Sequence, residues 1–337
     1  ANNTAYNDMV YAVVTDGLGC RTITTLDLIV HDKPITGDPG DVHLCEQTMG
    51  SNTAVFNLTS LNTIIANGNT IPPHAISFYT TQADAIPGST TNLIGTPATH
   101  TVTGTQTIWA LLENTVTGCY DVREFDLIVD PRPIVPASGF FPQLETCETG
   151  APVGIETFDL TTAIPTILNG QSGINVTFYP SLALAQAGVA GTEISNPSAY
   201  PNTIAYTQTL GVVLTNINTG CQSIATMDLY VNPQPVVLNP TTPLEICDDN
   251  NDGLGLFDLV ADGMEHVVGT TVPSGYTIAF YLTQTDAEQD DNEIIVNPYA
   301  NITAYTQTIW VVVTDGLGCR TITTLNLIVH DKPIAGD

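Results

Sequence analysis

Positive charge is what this sequence has least of. Its 337 residues hold 6 Lys and Arg against 34 Asp and Glu, a formal net charge of −28. Nucleic acid and anionic bilayers are held through Lys and Arg, so neither is an expected partner. No run of about 18 apolar residues occurs, which excludes direct membrane insertion of this segment as a helix. The opening residues, ANNTAYNDMV, are not a signal peptide, so any export signal is expected outside this chain. No window shows the 3.6-residue period of a long amphipathic helix. A Gly-rich phosphate loop, an HExxH pair and a Gly-x-Ser-x-Gly elbow are all missing. Carboxylates are plentiful, but none has a position defined enough to form an acid–base pair. No catalytic constellation is present, and the chain is not expected to be an enzyme.

What the sequence does have is repetition. Residues 1–38 align without a gap onto residues 300–337, an offset of 299. From Val13 to Asp38 only Asp27/Asn326 and Thr36/Ala335 differ from the later copy. A segment that recurs so closely is a repeat unit. Two further, more divergent copies become visible through a Gly-Cys turn at Cys20, Cys119, Cys221 and Cys319, spaced by 99, 102 and 98 residues. That period is the size of an Ig-like domain.

Each Gly-Cys turn is preceded by an apolar strand and followed by strict alternation, as in Phe125/Leu127/Val129 and Leu325/Leu327/Val329. Period two means a strand with one face on a core, and each pair reads as a closing hairpin. A proline-bearing exit follows: DKPI at 32–35, DPRPI at 130–134, NPQPV at 232–236 and DKPI at 331–334. Proline fixes φ, so these junctions are expected to be short and stiff and to hold the domains in a rod. Next come a second cysteine (Cys45, Cys147, Cys247), a Phe-x-Leu run, a strand closing on Phe-Tyr, and an Ala/Gln-rich stretch long enough for one or two helical turns. About seven strands per unit point to an all-β fold: tandem Ig-like antiparallel β-sandwich domains of about 100 residues. The expected boundaries are 1–37 for the C-terminal part of an incomplete repeat, then 38–135, 136–237 and 238–337.

The cysteine spacing suggests disulfides within each repeat, Cys45–Cys119, Cys147–Cys221 and Cys247–Cys319, at separations of 74, 74 and 72. Each would stabilise by about 4 kcal/mol in the chain-entropy model and would require an oxidising compartment. The alternative is small buried thiols. Cys20 has no counterpart upstream. Either the chain is a window on a longer array, or residues 1–37 complete a neighbouring subunit by strand donation, as in pili.

These landmarks resemble the repeats of giant Bacteroidota cell-surface adhesins, above all the SprB-type gliding-motility adhesins. The residues that carry the resemblance are LEICDDNNDGLGLFDL at 244–259, TIAFYLTQTDAE at 277–288, NPYANITAYTQTIWVVVTDGLGC at 297–319 and LNLIVHDKPI at 325–334. Residues 144–235 follow the same pattern. The resemblance implies an extracellular filament on the cell surface, exported by type IX secretion, that binds surfaces or polysaccharides and serves attachment and gliding. A self-assembling pilus or sheath subunit and a carbohydrate-binding module array are the competing readings. Neighbouring repeats of the same chain are expected partners in every case.

One cofactor candidate stands out. Asp248, Asn250 and Asp252 alternate and Gly253 follows, like the first half of an oxygen-rich calcium loop. The twelfth position is Leu259 rather than Glu, with Asp258 the only substitute at hand. The competing reading is an acidic turn held by its own Asx hydrogen bonds. His31 and His330 recur beside the exits, which suggests a junction role. His43, two residues before Cys45, lacks a second ligand pair at zinc-like spacing. Trp109 and Trp310 sit in alternating strands and are expected in or near the core.

Overall fold

The computed structural model describes residues 7–71, 73–136, 139, 141–150 and 152–333. The ends of the expected first and last units, residues 1–6 and 334–337, lie outside the described residues. Backbone contacts divide the chain into two compact units: residues 1–134 with 171–175 and 214–223, and residues 135–170, 176–213 and 224–337.

The first unit opens with a hairpin of β1 (Asn7–Thr15) and β2 (Arg21–Ile29), in register at Val10↔Leu26 and Ala12↔Thr24. A repeat follows, built from β3 (Val42–Cys45), β4 (Thr53–Phe56), the short helix α1 (Asn62–Ala66), β5 (His74–Tyr79), β6 (His100–Thr103), β7 (Thr105–Asn114) and β8 (Tyr120–Asp130). One sheet runs β3-β8-β7-β5 and a smaller one pairs β4 with β6. Ala54, Phe56 and Val102 of the small sheet share a core with Phe78, Ile108, Phe125, Leu127 and Val129 of the large one. The alternation read from the sequence is the cause: Phe125, Leu127 and Val129 point to one face and are buried together.

The middle repeat comprises β9 (Leu144–Cys147), β10 (Thr157–Phe158), α2 (Ile164–Leu168), β11 (Ile174–Tyr179), α3 (Leu182–Ala187), β12 (Tyr200–Pro201), β13 (Thr207–Asn216) and β14 (Gln222–Asn232), with sheet orders β11-β13-β14-β9 and β10-β12. The last repeat, in the second unit, has β15 (Leu244–Cys247), β16 (Leu256–Phe257), α4 (Gly263–Val268), β17 (Thr277–Tyr281), α5 (Gln284–Gln289), β18 (Tyr299–Ala300), β19 (Thr306–Thr314) and β20 (Arg320–His330). Its sheets are β15-β20-β19-β17 and β16-β18. The fold is thus an all-β, Ig-like sandwich repeated three times. Each repeat has six strands among the described residues, one fewer than the sequence suggested. After the Phe-Tyr strand α3 and α5 form the expected helical turns; the first repeat has only turns there. Ser181 and Thr283 cap α3 and α5, each side chain accepting a backbone N–H three residues on.

These helices cover the second face of the large sheet. In the last repeat Tyr281, Ala287 and Val312 pack there with half-buried Trp310. In the middle repeat Gly211 takes the tryptophan position, where a Cβ would stand 2.5 Å from the Ala185 Cβ and 2.7 Å from the Ser181 carbonyl. Helix α3 therefore sits directly on the strand. The hairpin β1–β2 has no such covering. Leu26 is 56 % exposed, whereas its near-identical counterpart Leu325 is fully buried.

One pairing breaks the antiparallel pattern and fixes where the early cysteines lie. The first strand of each repeat joins the last strand in parallel: β3 with β8, β9 with β14 and β15 with β20. The register places Cys45 opposite Asp130, Cys147 opposite Asn232 and Cys247 opposite His330.

Candidate functional site

The parallel register decides the disulfides. Cys119 immediately precedes β8, and Cys45 lies opposite its last residue, Asp130. Eleven residue steps separate these levels, about 36 Å at the rise of a β-strand. A disulfide needs Cα atoms within about 7 Å, so the expected bridge Cys45–Cys119 is geometrically excluded. The same reasoning removes Cys147–Cys221 and Cys247–Cys319. The bridges join successive repeats instead: Cys45–Cys221 and Cys147–Cys319, with Cα–Cα distances of 5.5 and 5.4 Å. Cys20, Cys119 and Cys247 are free thiols.

Each bridge joins two local motifs. One is the tight turn before the last strand. Asn216 N–H donates to the Cys221 carbonyl at 2.9 Å, and Gly220 N–H donates to the Asn216 carbonyl at 2.8 Å. In the last repeat the Asp315 carboxylate accepts from the Leu317 and Cys319 N–H groups, both at 2.9 Å. This turn aims the cysteine sulfur at the carbonyl that ends the preceding repeat's last strand. Cys221 Sγ lies 3.9 Å from the Asp130 oxygen, and Cys319 Sγ lies 4.0 Å from the Asn232 oxygen. Free Cys119 holds the same relation to the His31 oxygen, at 3.8 Å.

The other motif is the first strand and the acidic residue after its cysteine. Glu46, Glu148 and Asp248 are all buried, at 2, 3 and 1 % exposure. Their backbone N–H groups donate to the Asp130, Asn232 and His330 carbonyls, extending the parallel ladder by one step. Buried carboxylates need partners, and the following loop supplies them. Glu46 accepts from Gly50, Asn52 and Arg132 N–H groups at 2.7–3.0 Å. Glu148 accepts from Gly154 N–H at 2.7 Å, and Asp248 from Asn250 and Gly253 N–H at 2.9 and 2.5 Å. For both Glu46 and Asp248 burial works to raise the pKa, but these N–H donors outweigh it and hold the carboxyl below its ordinary range. Gly154 and Gly253 have φ of +67° and +77°, and a Cβ on either would meet the backbone N of Tyr206 or Tyr305 at 2.7 or 2.9 Å. The loop is closed from the far side by Asn202 and Asn301. Asn301 Oδ1 accepts from Gly255 N–H, while its Nδ2 donates to the Gly253 and Thr303 carbonyls. Of the three acids only Asp248 stood out in the sequence, as a calcium candidate. Their signal was an acid after each early cysteine.

This arrangement corrects the calcium reading. Asp248 spends both carboxylate oxygens on the loop's own N–H groups. Asn250 and Asp252 bond each other and the Asp252 and Leu254 N–H groups. Asp258 belongs to a different structure, accepting from Ala261 N–H and from the Asn297 side chain. It is the counterpart of Asn57 and Asp159, which cap short 3-10 turns. Asp258 does not join the other three, and no group of three or more His, Cys, Asp or Glu among the described residues can hold a metal ion.

Around each bridge, the proline exit is tied both to the repeat it leaves and to the one that follows. Arg132 donates through Nε to the Glu46 carbonyl at 2.6 Å and through Nη1 to the Gln222 carbonyl at 2.5 Å. Ser223 donates to the Pro133 carbonyl at 2.6 Å. In the second unit, Gln234 donates to the Glu148 carbonyl and Thr321 to the Pro235 carbonyl. The hairpin β1–β2 is tied to the first repeat through Asp121, which meets Lys33 at 2.5 Å and accepts from both the N–H and hydroxyl of Thr36. Burial opposes ionisation of Asp121, but these hydrogen bonds and the Lys33 charge bring its carboxyl down from 3.8 to about 2. A lowered carboxyl pKa stabilises fully above the unfolded value and stops doing so as pH falls through the folded one. Amide-exchange protection of Thr36 should therefore hold at neutral pH and fall away as pH drops through about 2. In Asp121→Asn the protection should be weak already at neutral pH and lose this pH dependence.

No curated protein matches this chain significantly. Among solved structures, a three-domain titin fragment, I67–I69, is similar at 13 % identity and a TM-score of 0.30, over 88 % of this chain and 96 % of that one. The human desmocollin-1 ectodomain is similar at 10 % identity and a TM-score of 0.20, over 97 % of this chain and 68 % of that one. Drosophila N-cadherin EC1-4 is similar at 10 % identity and a TM-score of 0.19, over 96 % and 83 %. The family model for the Flavobacterium inter-domain disulphide bond domain matches three times, at residues 41–133, 143–235 and 243–333. The bridges that skip from one repeat to the next are the feature this description names, and the chain belongs to the Flavobacterium inter-domain disulphide bond domain family.

Proposed function

We propose that this chain is a load-bearing, adhesive segment of a long extracellular filament: a cell-surface adhesin used in attachment and gliding. The observation that carries the reading is the pair of disulfides between successive Ig-like repeats. A single binding domain needs no such crosslinks, whereas a filament under tension does. The bridges also require an oxidising environment outside the cytoplasm. The net charge of −28 supports solubility and self-repulsion between neighbouring filaments. The role is structural and non-catalytic, with affinity gained from the number of copies rather than from one strong site. Residues 38–135, 136–237 and 238–337 are read as repeats. Residues 1–37 are read as the closing hairpin of a further one, because their near-identical counterpart is buried in the last repeat.

Immunolabelling of intact flavobacterial cells tests this reading. The antibody should decorate unpermeabilised cells, and cells lacking the segment should lose attachment to glass. Label seen only after permeabilisation, or unchanged attachment, would overturn it.

A further inference from the structure

We infer that the bridges and the strands between them form two continuous covalent tension lines that bypass the interiors of the repeats. The inference deepens the load-bearing reading and rests on it for its purpose, though not for its geometry. The first line enters at Cys45, crosses to Cys221, and follows the chain to Cys247. The second runs from Cys119 to Cys147 and crosses to Cys319. Only 26 residue steps separate Cys221 from Cys247, and 28 separate Cys119 from Cys147.

The strands at both ends of each line are already extended. The first line consists of the 11 residues of β14, an exit holding Pro233, Pro235, Pro240 and Pro243, and the 4 residues of β15. The second consists of the 11 residues of β8, an exit holding Pro131, Pro133, Pro136 and Pro142, and the 4 of β9. A β-strand is close to the maximum span of a chain, and proline exits have little slack. Pulling on either line can thus recruit length only from its short exit, such as the turn in which Gly139 N–H donates to the Pro136 carbonyl. Residues 148–220 of the middle repeat, which include its core strands β10–β13 and both its helices, lie on neither line.

The two lines are also joined sideways. In the middle repeat the first line passes through β14 and the second ends in β9. These strands are parallel and hydrogen-bonded at Leu229↔Leu144 through Asn232↔Cys147. Both lines run in the same direction, and tension on one is shared with the other through a ladder loaded in shear. The device explains two otherwise unrelated features: the parallel first strand, and bridges that join one repeat to the next. A disulfide within a repeat would short-circuit only that repeat's own loop and leave the exits as single-stranded weak points.

The exposed thiols Cys20 and Cys247 provide handles for a direct test. In the full chain carrying Cys119→Ser, maleimide-linked DNA handles on these two residues allow pulling by optical tweezers before and after reduction. With bridges intact, the path is 25 steps to Cys45 and 26 from Cys221, so the chain should never extend beyond about 180 Å. After reduction the path is 227 steps, and the limit should rise more than fourfold, to about 800 Å. Any unfolding step that carries the oxidised chain past about 200 Å would overturn the inference. Cys119→Ala serves as a second variant should the serine disturb the turn. The outcome is independent of cell attachment. A chain that passes here but is absent from the cell surface fails only the adhesive reading, and one that overextends here leaves the immunolabelling result standing.

Discussion

Serine at Cys147 should lower the stability of the second unit by up to about 5 kcal/mol, the chain-entropy value for a closed loop of 172 residues. Loop entropy is the larger part of this expectation, because the crosslink removes states from the unfolded ensemble rather than adding contacts to the folded one. A further contribution comes from Cys319, which is fully buried and would be left as an unpartnered thiol. Cys319→Ser should be at least as damaging, since it places a hydroxyl in the same buried position. The control is Cys247→Ser. Cys247 occupies the same place in its repeat as Cys147 but is exposed and unbridged, so its loss should change stability by no more than about 0.5 kcal/mol. Urea denaturation of the three variants separates these expectations. Equal midpoints for Cys147→Ser and Cys247→Ser would show that the crosslink between repeats contributes nothing.

Asn301→Ala should cost about 3 kcal/mol, a large effect for a polar side chain with no role in any bridge. Asn301 is 4 % exposed and makes three hydrogen bonds to backbone groups of its own repeat. Alanine leaves the Gly255 N–H and the Gly253 and Thr303 carbonyls without that partner where water has little access. Asn301→Asp should do no better. It restores the acceptor for Gly255 but turns a carboxylate toward two carbonyls, near the buried Asp248 loop. The readout is amide exchange at Gly253 and Gly255, which should accelerate in both variants before global unfolding. Asn202→Ala should reproduce the effect in the middle repeat, where Asn202 contacts Glu156, Gly154 and Ile204 in the same way. The first repeat offers no such position. There the four-residue pairing of β4 with β6 replaces the two-residue pairing seen in the other repeats.

Much of this was legible from residue order alone. Strands at Phe125–Val129 and Leu325–Val329 follow from alternation, because one buried face per strand admits no other pattern. The proline exits and the repeat period follow as directly. The pairing of the cysteines was not legible, and the reason is general to periodic chains. When every repeat carries one early and one late cysteine, a constant separation of about 74 residues fits pairing within a repeat. A constant 176 and 172 fits pairing one repeat onward equally well. Spacing cannot choose between them. What decides is the direction of the first strand: parallel to the last strand, it carries Cys45 to the opposite end of the sheet from Cys119. Local sequence does not encode that direction, since a four-residue strand such as VHLC pairs either way. The acidic loop misled for a related reason. Asp248, Asn250 and Asp252 have the composition of a cation site. Backbone N–H groups, which no composition reveals, occupy the same oxygens.

The forward reach of each bridge also makes maturation a property of neighbours. Cys45 finds its partner only in the β13–β14 turn of the repeat that follows, so a repeat that has already folded still carries an open thiol until its successor takes shape. Each bridge therefore closes only once two successive repeats have both folded, so oxidation reports on the pair and not on either repeat alone.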